Sequence, residues 1–391
     1  MTARRRTETL RARHDAAWRD PAAVAAHWHE AGAVEDGLLA SRTRGRFWET
    51  LAESGVTLLV TREYEHLVLA LRATPRGPEV TYLRLPHPSG VAFDAARGVL
   101  HVASTRNPNQ IFDLAPVVPP ANGHEATDGD RPLLPVRTRF LPGGLYLHDL
   151  AMIGGRLHAN AVGQNAVVRL DDRGGFTRVW WPKAVDGARG PAFDRNYLQL
   201  NSIAAGRDVA HSFFSASAER RGRLRPGDPE FPVDRRGVIF SGRTREPVVR
   251  GLTRPHSARL RKGRIWVDNS GYGELGVVED GRLTVVAKLP GWTRGLDFHG
   301  DVAFVGTSRV LPRFTQYAPG LDVRTAVCGV HAVDVASGRI LGGVTWAAGN
   351  QIFAVTCLPA GFAAGLPFAA GRRRDAARDR ALFYGFAIGE T

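Results

Sequence analysis

The chain has 391 residues, 43% of them hydrophobic, and a formal charge of +14. That length and apolar content support a sizeable core, and no run approaches the roughly 18 to 20 apolar residues that a membrane span requires. The charge raises nucleic acid as a partner, but lysine occurs only at 183, 262 and 288 and arginines are scattered over loops, which argues against it.

The N-terminus is basic without an apolar stretch behind it, so no secretory signal is read and a cytoplasmic location is expected. Residues 1–52 are rich in Ala, Glu and Arg, with Leu38, Leu39, Phe47, Trp48 and Leu51 at helical spacing, and predict two or three helices. Thr57–Val60, His66–Arg72 and Val80–Leu85 then read as three strands lacking a first partner.

From there a unit recurs. Short apolar strands open at His87-Pro88-Ser89-Gly90-Val91, His148-Asp149-Leu150, Asn201-Ser202-Ile203, His256-Ser257-Ala258 and Arg294-Gly295-Leu296, and each runs through a hairpin into a second strand. A period near 40 to 60 residues with strands and turns throughout predicts an all-β fold, a β-propeller. Gln351–Leu358 resembles a sixth opening strand with no blade after it; pairing it with the three N-terminal strands closes the ring and removes a free sheet edge. Six blades are expected, with seven as the alternative. The division is a helical extension over 1–52, a propeller over 53–360 and a tail over 361–391. The densest basic stretch, Arg220–Arg225, falls in a Pro/Gly-rich insertion and reads as a solvated loop or a lid. Cys328 and Cys357 read as core thiols.

In a propeller the first strand of each blade lines the central channel, and its start shares a face with the loop joining the second and third strands. Two sets of residues should therefore converge on one mouth. The strand starts supply His87 with Ser89, His148, Asn201, His256, Arg294 and Gln351; the loops supply Arg106, Asn107, Asn269, Tyr272, Glu274 and Arg309. Three histidines from separate blades suggest a divalent transition metal (Zn, Fe, Cu or Mn) on His87, His148 and His256, with Asn201 as a fourth ligand or support. The competing reading is a polar channel whose side chains only bind water and one another. No carboxylate occupies the ring, which argues against a calcium cage. Arg294 suits a carboxylate or phosphate, or else an internal salt bridge to Glu274 or Asp149. Tyr272 and Glu274 are candidate proton donor and base, and Arg106, Asn107, Asn269, Arg309 and Gln351 candidate substrate contacts. His101, His158 and His211 align with Trp266 and Phe304 on second strands and read as inter-blade packing.

The set LPHPSGVAFD (85–94), HDLA (148–151), LNSIA (200–204), RPHSARL (254–260), NSGYGELG (269–276) and LPGWTRGLDFHG (289–300) resembles a bacterial family of conserved proteins of unknown function, over roughly residues 35–360. The resemblance implies a propeller and no established chemistry. The architecture is more loosely similar to six-bladed metal-containing propellers such as peptidylglycine α-hydroxyglycine lyase, gluconolactonase and strictosidine synthase. By analogy with the lyase site, His87, His148, His256, Arg294 and Tyr272 would supply metal ligands, anion contact and proton donor. The expectation is a metal-dependent lyase, isomerase or hydrolase acting on a small anionic metabolite or modified peptide. An iron or copper oxygenase on the same histidines is a second enzymatic reading. The rival from another class is a propeller that binds a ligand or protein without chemistry.

Overall fold

The computed structural model describes residues 32–106, 109–118 and 131–371, together with residues 9, 12, 13, 16, 387 and 388. Strand pairing sorts into six antiparallel sheets arranged as the blades of a propeller. Blade 2 consists of Pro88–Asp94, Val99–Ser104, Asn109–Val118 and Leu133–Leu141; blade 3 of Leu147–Ile153, Arg156–Ala161, Ala166–Leu170 and Phe176–Trp180. Blades 4, 5 and 6 begin on Leu200–Ala204, Pro255–Arg261 and Trp292–His299. Blade 1 takes its second to fourth strands from Val56–Arg62, Leu67–Thr74 and Gly77–Arg84, and its inner strand from the far end of the chain, Ala354–Pro359. That inner strand pairs with Val56–Arg62 from Val56↔Pro359 to Thr61↔Ala354, so the ring is closed by hydrogen bonds between its two ends. Closure of this kind gives Val56–Arg62 a partner on both sides, so the joint between the two chain ends leaves no open second strand.

The six-blade expectation holds. The helical expectation for 1–52 holds only in part of the described segment. Asp36–Leu39 and Phe47–Ser54 are helices, but Ser41–Gly45 between them is a strand that adds a fifth member to blade 6 against Ile340–Trp346. Phe47 and Leu51 on the second helix are fully buried against Phe304, Val344 and Trp346, and the helix stops at Gly55, whose φ of 60° an L side chain resists. Past Leu358, Phe368–Ala369 pairs with the outer strand of blade 1 and Ala387–Ile388 with blade 2. His211, expected on a second strand, instead ends the short turn Val209–His211 ahead of Phe213–Ala216. Cys328 is buried, Cys357 half-buried, and both are free. Among the described residues no helix is long and apolar enough to cross a membrane.

The inner strands share a local irregularity that matters for the site. Pairing with the second strand slips in blade 2 between Pro88 and Val91, in blade 4 between Leu200 and Ser202, in blade 5 between His256 and Arg259, and in blade 6 between Thr293 and Leu296. The residue just before the inner strand is left-handed in four successive blades, and none is glycine: His87 (φ 43°), Tyr146 (51°), Gln199 (54°) and Arg254 (52°). A side chain in that region costs about 1–2 kcal/mol, so the repeat of the conformation is a feature of the mouth and not of one loop.

Candidate active site at the channel mouth

At the mouth, side chains two places apart at the start of each inner strand fall at two levels along the channel. The upper tier consists of His87, Tyr146, Gln199, Arg254, Trp292 and Gln351. The lower tier holds His148, Asn201, His256, Arg294 and Phe353, with Ser89 at the aligned position donating to the Ala103 carbonyl. A cavity of about 320 Å³ opens where the two tiers meet. Its floor carries His148, His256 and Arg294, and its wall carries Tyr146, Gln199, Arg254, Trp292 and Gln351. Glu63, Tyr64 and Arg106 enter from blade loops, and Arg313, Phe314 and Tyr317 from the short helical segment Pro312–Tyr317.

The floor is a hydrogen-bonded unit. His148 Nδ1 donates to the Asn201 carbonyl (3.4 Å), which leaves its Nε2 to accept from Arg294 Nη2 (3.1 Å). His256 Nδ1 donates to the Arg254 carbonyl (2.9 Å), with the Ser270 hydroxyl at 3.2 Å, so its Nε2 keeps a free lone pair. The two imidazole rings lie 5.9 Å apart. Burial lowers both pKa values well below 6.5, and the Arg294 charge lowers them further, so both rings are neutral near pH 7. Beneath them Asp149 is held by Arg259 at 3.1 Å.

Arg294 is 4% exposed, and burial pulls its pKa down to about 10 despite the opposing pull of Glu63. Its guanidinium lies on the Phe353 ring at 3.4 Å. With its amide oriented to satisfy both neighbours, Gln351 accepts from Arg294 (2.7 Å) and donates to Glu63 (2.9 Å). Glu63 also accepts from Arg106 Nε at 3.1 Å. Burial raises the Glu63 pKa, against the charges of Arg294 and Arg106. Arg254 is 8% exposed, reaches the Pro226 carbonyl at 3.3 Å and stacks on Tyr317 at 4.1 Å, while its Nε has no partner. Neither Arg254 nor Arg294 ion-pairs with a carboxylate among the described residues; the alternative of a bridge from Arg294 to Glu274 or Asp149 is not formed. A buried guanidinium without a direct ion pair, its nearest carboxylate reached only through Gln351, favours an anion in the cavity it lines.

The expected ligand triad does not assemble. His87 belongs to the upper tier, a pleat away from His148 and His256, and is turned to the rim, where it packs on His66 (4.3 Å) with Glu63 at 3.8 Å. Among the described residues no three His, Cys, Asp or Glu side chains converge as a metal-binding group. The donors also oppose a cation electrostatically: His148 Nε2 already faces a guanidinium, and Arg254 and Arg294 adjoin His256. The side chains present do not fit a divalent metal. Asn201 instead ties blades together, donating to Ser217 (2.9 Å) and to the Pro255 carbonyl (2.8 Å).

The other expected residues divide in two. Arg106 and Gln351 line the cavity. Arg309 borders an adjoining apolar slot with Tyr64, Trp292 and Phe314 and donates to the Ala347 carbonyl. Tyr272, Glu274 and Asn269 do not reach the cavity. Tyr272 donates to Asp234 (3.1 Å), and Asn269 is spent on Glu274 (2.8 Å) and the Thr253 backbone (2.7 Å). Their loop turns away because its short helical turn, Ser270–Tyr272, packs over Thr253. Asn107 lies outside the described residues.

Glu63, Tyr64, Tyr146, Gln199, Arg254 and Trp292 were not expected. The signal for most was present: Tyr146, Gln199, Arg254 and Trp292 stand two places before the aligned ring position, where His87 also stands. Glu63 and Tyr64 occupy the loop between the second and third strands of blade 1, once the ring is closed.

Residues 45–365 match a family defined by a domain of unknown function, DUF4915. The chain belongs to that family. No curated protein matches the sequence. Among solved structures, a chain of a nidogen/laminin complex is 10% identical with a TM-score of 0.52, over 78% of this chain and 98% of that one. A gluconolactonase from Xanthomonas campestris is 15% identical with a TM-score of 0.44, over 75% and 86% of the two chains. A protein of unknown function from Bacteroides caccae is 10% identical with a TM-score of 0.48, over 78% and 99%. At these identities the likeness concerns the propeller fold. This member of the DUF4915 family combines that fold with a mouth built from buried arginines and neutral histidines.

Proposed function

We propose that the protein is a metal-independent acid–base enzyme acting on a small oxyanion-bearing molecule at the channel mouth. The observation that carries this reading is the pairing of two buried guanidiniums without a direct carboxylate ion pair, Arg254 and Arg294, with two neutral imidazoles in one cavity. The guanidiniums hold a carboxylate or phosphate and stabilise negative charge that develops next to it. His256 Nε2, with its lone pair free, takes a proton from carbon adjacent to the bound carboxylate or from a water. In the first case the bond's electron pair moves onto the carboxylate, where Arg254 and Arg294 balance it. The proton then returns from His256, giving isomerisation, or a β-substituent leaves with the electron pair. In the second case hydroxide adds to an ester or lactone carbonyl, the same arginines hold the oxyanion, and its collapse breaks the acyl C–O bond while the proton on His256 passes to the departing alkoxide. His148, fixed between Asn201 and Arg294, positions the guanidinium.

The test is proton NMR of the protein in D2O with a panel of hydroxy acids, sugar acids and lactones. Wild type is expected to wash out an α-proton or form a new species with at least one compound, and His256→Asn to lower that rate at least a hundredfold. Equal rates for wild type and His256→Asn would refute the role of the base. A second reading, a receptor that holds the same anion without chemistry, is favoured by how far burial lowers both imidazoles, because a weak base takes a proton poorly.

A further inference from the structure

The face opposite the mouth carries a second cavity, of about 410 Å³, between blades 2 and 3. The turns 95–98, 154–155 and 171–175 border it, and Arg97, His101, Arg139, Arg156, Arg169 and Asp172 are among its lining residues. We propose that this inter-blade cleft is a second ligand site, for a small molecule bearing an oxyanion, with Arg139, Arg156 and Arg169 as its donors.

The charges in the cleft do not cancel. Asp113, behind the wall, is held by His101 Nδ1 (2.6 Å), Arg139 (2.8 Å) and Arg137 (2.6 Å). Asp94 and Asp171 cap their own turns, accepting from Ala96 and Arg97 (both 3.1 Å) and from Arg173 (2.8 Å) and Gly175 (2.7 Å). Asp172 is engaged by Arg97 at 3.3 Å. Four arginines (Arg97, Arg139, Arg156, Arg169) line the cleft against three aspartates (Asp94, Asp171, Asp172), and Arg156 and Arg169, both exposed, have no ion pair among the described residues. The neighbouring His158, whose pKa burial lowers, is pushed down further by these two charges.

A second observation points inward. The Arg139 side chain is only 6% exposed and its Nε has no hydrogen-bond partner, although its two terminal nitrogens are placed by Asp113 and by the Asp171 carbonyl (3.0 Å). A buried N–H left unpaired costs about 1–3 kcal/mol, so the guanidinium at the cleft wall holds a donor that the fold itself does not use. Its guanidinium is anchored and so loses little freedom on binding, while Arg156 and Arg169 close on the anion from the turn side. His101 has its Nδ1 fixed by Asp113 and its ring on the cleft, so it reports occupancy directly. The cleft is separated from the channel mouth by the length of the blades, and this proposal does not rest on the reading of that mouth.

Inorganic pyrophosphate is the probe. Titrated into the full chain and followed by long-range proton–nitrogen correlation spectra, it is expected to shift the His101 imidazole resonances, identified by their loss in His101→Gln. The Arg156→Gln/Arg169→Gln double variant, altered only at exposed positions, is expected to raise the dissociation constant read from those shifts at least tenfold. Unmoved His101 resonances, or the same constant in the double variant, would overturn the proposal. Arg254→Gln is expected to leave the His101 titration unchanged, and a loss of it there would equally contradict a separate site.

Discussion

At the scale of single residues, the mouth is governed by the cost of burying charge. His148 and His256 avoid that cost by remaining neutral; Arg254 and Arg294 cannot, and remain charged in a cavity with one nearby carboxylate, Glu63. The imidazole behaviour has a definite sign in stability. Their folded pKa values lie below the unfolded value near 6.5, so as pH falls through 6.5 the unfolded chain takes up protons that the folded chain refuses. Stability contributed by these two rings is thus intact above pH 6.5 and declines below it. The double variant His148→Asn/His256→Asn should lose less stability than wild type between pH 7 and pH 5 in urea denaturation. An identical loss in the two proteins would show that the rings are not held neutral.

At the scale of elements, the unit that builds the site is the start of the inner strand, with its left-handed residue, its slipped register and its side chains at two levels along the channel. Gln199 allows the backbone claim to be separated from the side chain. Gln199→Gly should change stability by less than about 1 kcal/mol, because relief of the left-handed strain offsets the added freedom of the unfolded chain. Gln199→Val, β-branched in the same conformation, should destabilise by about 1–2 kcal/mol more than the glycine variant in chemical denaturation. This unit also explains what was legible in the sequence. The repeat gave the blades, their count and the positions His148, His256 and Arg294, because alternation of apolar and polar residues follows directly from strand geometry. The repeat also showed His87 two places before the aligned position, but residues two apart share a face, and the offset was not read as the difference in depth that keeps His87 from His148 and His256. Tyr272 and Glu274 were misplaced because a loop's direction depends on what packs over it, here the turn on Thr253, and no periodicity carries that. Glu63 could be assigned only after the ring was closed through Ala354–Pro359.

At the scale of the whole molecule, closure holds the two tiers in register. The inner strand Ala354–Pro359 seats Val355, fully buried, between blades 1 and 6, and Phe353 just ahead of it supports the Arg294 guanidinium. Deleting residues 351–391 removes that strand and opens the edge of Val56–Arg62. The shortened chain should lose its near-ultraviolet circular dichroism and cooperative unfolding; retention of both would mean that the other blades stand without closure. The excess of arginine, with a formal charge of +14, also bears on the mouth, since a cationic surface draws anions by long-range attraction that salt screens. The central claim is that Arg254 and Arg294 hold an anion in the channel-mouth cavity. Its most direct measurement is isothermal titration of the carboxylate or phosphate compounds that raise the melting temperature of the wild-type protein, repeated on Arg254→Gln and Arg294→Gln variants checked for intact circular dichroism. The account predicts at least tenfold weaker binding in each variant and weaker binding by wild type at higher salt; undiminished affinity in both variants would contradict it.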